Sequence, residues 1–224
     1  MILKNTLFGV AKLIEQNKLP AAKIEKILNI FISRAKDENA EIKKQALFGL
    51  LKIIEKGKFP VEKLAKIVDI FMAEAKSANA DIKQTALLGL ITLEEQHNLP
   101  LEKTEEVLIT FIVEANDIKA DIKQNALRGL AILAERNKIH IDKIDEVLAI
   151  FMTEANNLRE IIRKHALFGI NQLITNDHII PQKIQEILDL FIISAQDAKF
   201  IIKKNALYGM SKLVEKYQLP LERL

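Results

Sequence analysis

The sequence contains no cysteine and no tryptophan among its 224 residues. The lack of cysteine excludes disulfides, thiolate metal sites and cysteine nucleophiles. Glycine and proline are scarce, with 7 and 5 residues, so few turns interrupt regular structure and long helices are favoured. No apolar run is long enough to cross a membrane, and the first residues lack the continuous apolar core of a signal peptide. We therefore expect a chain without membrane contact, located in the cytoplasm.

The composition is that of a globular protein, with 49% apolar and 28% charged residues. The net charge of +3 is too small to indicate a nucleic-acid-binding protein. Its distribution is uneven, because residues 1–80 carry 15 basic and 9 acidic groups and residues 81–160 carry 9 basic and 15 acidic groups. Residues 161–224 are again basic, with 9 basic and 6 acidic groups. Charge thus alternates along the sequence.

A period of 40 residues runs through the whole sequence. Glycine recurs at this period, at Gly9, Gly49, Gly89, Gly129, Gly169 and Gly209. Phenylalanine recurs at Phe31, Phe71, Phe111, Phe151 and Phe191. Isoleucine recurs at Ile2, Ile42, Ile82, Ile122, Ile162 and Ile202. Such a period is the signature of a repeat architecture, and it predicts one domain over residues 1–224 with about five and a half units.

Each unit is predicted to hold two helices. In the third unit the first helix has Pro100 at its first helical position and runs to about Asn116, and the second runs from about Ala120 to Arg136. The short connections predict antiparallel neighbours, and stacking of units buries faces that no single unit can cover. Residues that tolerate the left-handed conformation are expected to end the second helices, namely Asn17, Gly57, His97, Asn137 and Asp177.

The glycine column lies inside the second helices, where each glycine costs roughly 1 kcal/mol relative to alanine. We interpret it as a close helix–helix contact in which no side chain fits. The alternative is a ligand that approaches the backbone at these positions.

The second helices resemble HEAT repeats in their pattern of an acidic residue, an aliphatic–basic pair, then alanine and leucine. The pattern reads Asp117, Ile122-Lys123, Ala126 and Leu130 in one unit and Asp197, Ile202-Lys203 and Ala206 in another, and its acid-to-base spacing recurs at Asp37 and Lys43. The sequence departs from it by lacking the mid-helix proline and by having Ser77 and Asn157 at the acidic position. The resemblance, to the HEAT/armadillo superfamily, implies an all-α, right-handed α-solenoid whose second helices line a concave binding face.

No residue pattern indicates catalysis, a metal site or a cofactor. Every glycine is isolated, so phosphate-cradling and dinucleotide-binding loops are excluded. Three of the four histidines, His97, His140 and His178, fall near connections and are interpreted as solvated. We therefore expect a protein that is not an enzyme.

Two polar residues break apolar columns in the third unit. Glu94 stands where other units have Ile, Ala or Val, and Thr104 stands where they have Ile or Leu. The simpler interpretation places both at the margin of the core, with Glu94 reaching water. The alternative is a polar pocket or a contact for a basic partner.

The helical wheel predicts that Gln124, Arg128, Ala131 and Glu135 face away from the buried side of their helix. The column of Arg128, the aromatic column, is largely apolar: Phe8, Phe48, Leu88, Arg128, Phe168 and Tyr208. Three residues earlier lies the amide column: Asn5, Gln45, Thr85, Asn125, His165 and Asn205. One residue before that lies the basic column: Lys4, Lys44, Gln84, Gln124, Lys164 and Lys204.

These columns are suited to an extended peptide, because amides can pair with its backbone, aromatic rings can hold its side chains and lysines can meet its acids. The candidate binding residues are the whole aromatic column together with Asn5, Gln45, Asn125, His165, Asn205, Lys44, Lys164 and Lys204. The competing interpretation is that the aromatic column packs between adjacent second helices.

A further basic column near the starts of the first helices holds Lys23, Lys63, Lys103, Lys143, Lys183 and Arg223. Ion pairs with Glu106, Glu146 and Glu186 explain part of it, and phosphate contact is the alternative. The function that we expect is a scaffold for a protein or peptide partner. Nucleic-acid binding is disfavoured by the acidic middle of the chain. The remaining hypotheses are a structural segment of a larger assembly, and end-to-end or homo-oligomeric contact through ends that lack a polar capping unit.

Overall fold

The computed structural model describes residues 2–57, 59–97 and 99–218. Eleven α-helices lie in this part of the chain, and they are α1 (Ile2–Glu15), α2 (Ala21–Arg34), α3 (Ala40–Glu55), α4 (Leu64–Ala75), α5 (Ala80–His97), α6 (Leu101–Glu114), α7 (Ala120–Glu135), α8 (Ile144–Glu154), α9 (Glu160–Thr175), α10 (Ile184–Ser194) and α11 (Phe200–Tyr217). Short 3-10 turns at Val61–Lys63, Ile141–Lys143 and Pro181–Lys183 precede α4, α8 and α10.

The chain forms two compact units, residues 1–110 and residues 111–224. In unit 1, α3 packs against α1 and α5, while α2 packs on α3 and α4 packs on α5. In unit 2, α9 packs against α7 and α11, while α8 packs on α9 and α10 packs on α11. Within each unit, the odd-numbered helices, which are the second helices of the repeat, thus lie side by side, and α2, α4, α8 and α10 pack on them. This arrangement confirms the all-α, two-helix repeat; its handedness and the single domain over residues 1–224 stay predictions.

The glycine column is where the helices of one hairpin approach most closely. A Cβ atom at Gly49 would lie 2.3 Å from the Phe31 ring, and one at Gly129 would lie 2.5 Å from the Phe111 ring. Gly89, Gly169 and Gly209 face Phe71, Phe151 and Phe191 in the same way. The close-contact hypothesis is therefore confirmed at five positions. It is wrong at Gly9, where a Cβ would meet nothing within 4 Å.

The ends of the odd-numbered helices follow the sequence prediction in four repeats. Asn17, Gly57, Asn137 and Asp177 have φ angles of 56°, 60°, 55° and 60°, in the left-handed region that ends a helix. In α7 this turn lets the backbone N–H of Lys138 donate to the Leu133 carbonyl at 2.8 Å. The helix starts shift by one residue relative to the prediction, because α6 begins at Leu101 and Pro100 lies just before it.

Helix α5 extends to His97, the residue predicted to end it, and is two residues longer than α7. Glu94 is only 1% exposed, and its Oε2 accepts a hydrogen bond from the backbone N–H of Leu99 at 3.1 Å. The expectation that Glu94 reaches water is therefore wrong. Thr104 is also buried, and its hydroxyl donates to the Pro100 carbonyl at 3.2 Å.

We expect Glu94→Ala to lower the free energy of unfolding by about 2 kcal/mol, because a buried N–H that loses its acceptor is costly. Glu94→Gln keeps an acceptor oxygen at the same side-chain length, so its free energy of unfolding should fall by less than half as much. Urea unfolding of both variants measures the difference. Equal losses would show that the bond to Leu99 does not stabilise this helix end.

Candidate functional site

His140 and His178 each contact a polar side chain of their own. His140 is exposed and its Nδ1 contacts a carboxylate oxygen of Asp142, while His178 Nε2 lies 2.6 Å from Asn137 Oδ1. Among the described residues, no three His, Asp or Glu side chains come together in a way that could hold a metal ion. Among the described residues, repeated chemical patterns lie on the exposed sides of the odd-numbered and even-numbered helices.

The aromatic column is partly buried against neighbouring helices and partly exposed, and its role in peptide binding stays a prediction. In unit 1, Phe8 is 45% exposed, and Phe48 and Leu88 are half-buried. The Phe8 and Phe48 rings stack, with centroids 6.4 Å apart and planes inclined by 23°. In unit 2, Phe168 is half-buried and Tyr208 is 46% exposed. The rings pack between neighbouring helices along one edge and present the other edge to solvent.

Lysines lie over these rings, a feature that sequence reasoning missed. Lys12 Nζ lies 5.7 Å from the Phe8 centroid and 5.9 Å from the Phe48 centroid. Lys52 Nζ lies 5.2 Å from Phe48, and Lys212 Nζ lies 6.0 Å from the Tyr208 ring. Each lysine stands four residues after its aromatic residue, the spacing at which side chains meet on one helix face. This four-residue spacing in the sequence could have predicted the lysine–ring contacts.

The amide column differs in exposure along the chain. Asn5 is exposed, Gln45, His165 and Asn205 are half-buried, and Asn125 is 5% exposed. The Asn125 Nδ2 makes no hydrogen bond within the part of the chain that the structure describes. The column therefore contains both solvent-facing amides and one amide donor that is left buried without an acceptor.

Two lysines of the basic column make ion pairs at the surface. Lys44 Nζ lies 2.5 Å from an Asp81 oxygen, and Lys4 Nζ lies 2.6 Å from a Glu41 oxygen. The hydrogen bond from Lys4 holds the pKa of Glu41 below its usual value. Lys164 is half-buried and Lys204 is exposed. Because exposed ion pairs contribute little free energy, an incoming acid can replace the carboxylates of these pairs.

His165 is the titratable group of this surface with the most altered acidity. Burial lowers its pKa to about 4, and the charges of Lys164 and Arg128 act in the same direction. The imidazole is therefore neutral at physiological pH. It can donate and accept hydrogen bonds, as the amides at equivalent positions do.

Ala131 corrects the helical-wheel prediction. It was expected to face outward with Arg128, but it is 1% exposed. The neighbouring odd-numbered helix α9 packs against α7 and narrows the solvent-facing strip. The other three positions follow the prediction, because Gln124 and Arg128 are half-buried and Glu135 is exposed.

The lysine column at the starts of the even-numbered helices is paired in three repeats, as predicted. Lys143 and Lys183 lie 3.4 Å and 2.7 Å from Glu146 and Glu186. Lys103 lies 3.8 Å from Glu106 and also reaches Asp69 of the preceding even-numbered helix at 2.8 Å. The hydrogen bond to Asp69 raises the pKa of Lys103. Arg223 lies outside the described residues.

Similarity to solved structures identifies the class of fold. A crystal structure of computationally designed armadillo repeat proteins for modular peptide recognition matches 94% of this chain and 92% of its own, with a TM-score of 0.72 and 17% identity. A designed armadillo repeat protein in complex with the peptide (KR)4 matches with a TM-score of 0.70 and 16% identity, over 94% of this chain and 91% of that one. The fold is therefore an armadillo-like α-helical repeat.

The same fold occurs within a longer chain, because Cex1p matches 95% of this chain with a TM-score of 0.63 and 16% identity, over 39% of its own length. No family model matches the sequence, and no curated protein does. Within residues 2–57, 59–97 and 99–218, no helix has the length and apolar character of a membrane span.

Proposed function

We propose that this protein is a non-catalytic scaffold that binds an extended, acidic peptide segment on the exposed side of its odd-numbered helices. The observation that carries the proposal is the half-exposed aromatic column flanked by lysines. Phe8 and Phe48 with Lys12 and Lys52 form such a surface in unit 1, and Tyr208 with Lys212 does so in unit 2. Large rings that remain open to solvent beside polar groups are typical of peptide-binding surfaces.

The spacing supports an extended ligand. Packed helices lie about 8–10 Å apart, and a strand rises about 3.3 Å per residue, so one repeat corresponds to about two or three peptide residues. With two residues per repeat, every second side chain of the peptide would enter an equivalent environment. The designed armadillo proteins with the same fold include one that is described in complex with a peptide.

The charge of the surface determines which peptide fits. The peptide in that complex, (KR)4, is basic. Here lysines occupy both flanks of the rings, at Lys4 and Lys44 before them and Lys12 and Lys52 after them. A basic peptide would be repelled, whereas Asp or Glu side chains could pair with these lysines while apolar side chains contact the rings. We therefore assign an acidic peptide with interspersed apolar residues.

The test compares peptide binding by the wild type and by a Phe48→Ala, Phe168→Ala, Tyr208→Ala variant. The probes are fluorescent extended peptides of equal length, one with alternating Glu and Leu and one with alternating Lys and Leu, measured by anisotropy. We expect the wild type to prefer the acidic peptide. The triple variant should bind it at least about tenfold more weakly, which corresponds to 1.4 kcal/mol.

A matched control removes the same number of exposed apolar side chains elsewhere. Ile118, Ile141 and Leu158 are 97%, 80% and 97% exposed and lie in the connections between helices. The variant with alanine at these three positions should bind as the wild type does. Preference for the basic peptide, or equal binding by the two triple variants, would refute the proposal. Single-stranded DNA added as a competitor tests for nucleic-acid binding. If DNA displaced the labelled peptide more strongly than unlabelled acidic peptide does, nucleic-acid binding would be favoured.

A further inference from the structure

The outer face of α2 and α4 in unit 1 carries four lysines that lack the partners found elsewhere in the repeat. In later repeats the lysine at the start of an even-numbered helix pairs with a glutamate three residues on. In α2 and just before α4 the same position is followed by a second lysine, at Lys23 with Lys26 and at Lys63 with Lys66. Like charges therefore replace an ion pair in both repeats.

The carboxylate that the preceding even-numbered helix supplies in a later repeat is missing as well. Lys103 reaches Asp69 of the preceding even-numbered helix, and the residue equivalent to Asp69 for Lys63 is Asn29. In the described part of the chain, none of Lys23, Lys26, Lys63 and Lys66 forms an ion pair. Lys26 and Lys66 are exposed. We call these four residues the lysine patch; its mutual repulsion favours binding of an anionic surface.

Unit 2 has the opposite arrangement on its even-numbered helices. Helices α8 and α10 contain five acidic residues and no lysine or arginine. A groove of about 440 Å³ lies between them, with Leu148, Ala149, Met152 and Leu190 among its apolar lining residues. We call it the acidic groove.

Carboxylates line the acidic groove together with these apolar residues. Asp145, Glu186 and Asp189 contribute to the lining, together with one cation, Lys183. Glu186 is paired with Lys183, whereas Asp145 and Asp189 are exposed and form no ion pair with any described residue. Asp189 only accepts a hydrogen bond from the Gln185 amide at 2.8 Å. The groove thus offers an apolar floor and two carboxylates that are free to pair.

A lysine side chain fits such a groove, because its alkyl stem covers apolar surface while its ammonium group reaches a carboxylate. We propose that the lysine patch of one copy of this chain docks in the acidic groove of a second copy. Charge complementarity carries the choice of occupant, since the unpaired lysines and the unpaired carboxylates belong to the same chain and occupy related helices of the repeat. The lysine patch and the acidic groove belong to the even-numbered helices, whereas the aromatic column belongs to the odd-numbered helices. Docking and peptide binding therefore use different residues.

Analytical ultracentrifugation of the full chain over a wide concentration range tests this proposal. At low ionic strength we expect reversible self-association, and it should weaken at about 1 M salt, where charges are screened within about 3 Å. The variant Lys26→Glu, Lys66→Glu should associate at least about tenfold more weakly than the wild type. Adding Asp145→Lys and Asp189→Lys to that variant reverses both surfaces and should restore association.

The control is Lys36→Glu, Lys76→Glu, which changes net charge equally at two exposed lysines of unit 1 outside the lysine patch. It should associate as the wild type does. A wild type that stays monomeric at every concentration and salt would overturn the proposal. So would a control that weakens association as much as the patch variant, or a fourfold variant that fails to recover it. Circular dichroism confirms that every variant is folded.

Discussion

Replacing Gly129 by alanine is expected to lower the free energy of unfolding by about 2 kcal/mol, as overpacking in a filled core does. The new Cβ would lie 2.5 Å from the Phe111 ring, closer than any carbon contact allows. Phe111 is 1% exposed, so its ring cannot move aside without displacing other core residues. Alanine is the better helix former by roughly 1 kcal/mol, so a net loss would mean that packing outweighs helix propensity at this position.

Gly9→Ala is the matched control, since Gly9 belongs to the same column and a Cβ there meets nothing within 4 Å. Helix propensity then acts alone, and we expect stabilisation of up to about 1 kcal/mol. Urea unfolding of both variants gives two changes of opposite sign. A double variant that adds Phe111→Leu to Gly129→Ala should lose less than the sum of the single changes, because the smaller side chain relieves the contact. Changes of the same sign at Gly9 and Gly129 would contradict the packing explanation.

Acidification is expected to destabilise the protein through His165. Its pKa is about 4 in the folded chain and 6.5 without the surrounding structure. Between these values the unfolded chain binds a proton that the folded chain does not, so stability falls as pH falls through this window. Above pH 6.5 the full stability is present, and by pH 4 about 2–3 kcal/mol should be lost through this group.

His165→Asn isolates this contribution, because asparagine does not titrate and occurs at the equivalent positions Asn5, Asn125 and Asn205. The stability difference between wild type and variant should shift by about 2–3 kcal/mol between pH 7 and pH 4. Gln45→Asn serves as the control, since Gln45 stands at an equivalent, half-buried position and does not titrate. Its stability curve should stay parallel to that of the wild type. A parallel curve for His165→Asn as well would rule out burial as the cause of the low pKa.

The repeat could be predicted from the sequence because residues at equivalent positions of the repeat have the same burial. Phe31, Phe71 and their equivalents are buried, and the glycines opposite them are needed because two helices share that space. Left-handed helix ends were predictable for the same kind of reason, since Asn, Asp and Gly accept that conformation at lower cost than other residues. Both features depend on local geometry that one repeat already contains.

What escaped prediction depends on neighbours in three dimensions. Glu94 appeared to be a marginal polar residue, because the column alone could not show that the N–H of Leu99 lies beside its carboxylate. Ala131 seemed outward on an isolated helix, yet the adjacent repeat covers that side. The candidate binding residues show the same dependence. Exposure falls from Asn5 to Asn125 within one column, although the residue type is unchanged.

The pairing of each buried phenylalanine with a glycine has a consequence for how such a chain can change its length. The contact always joins an even-numbered helix to the odd-numbered helix that follows it, as Phe31 of α2 does with Gly49 of α3. A segment such as residues 101–137 or 141–177 therefore carries both halves of its own tightest contact. Recombination at the junction between two hairpins would exchange complete two-helix units. Cuts placed between the phenylalanine and the glycine of one hairpin would separate the ring from the position that receives it.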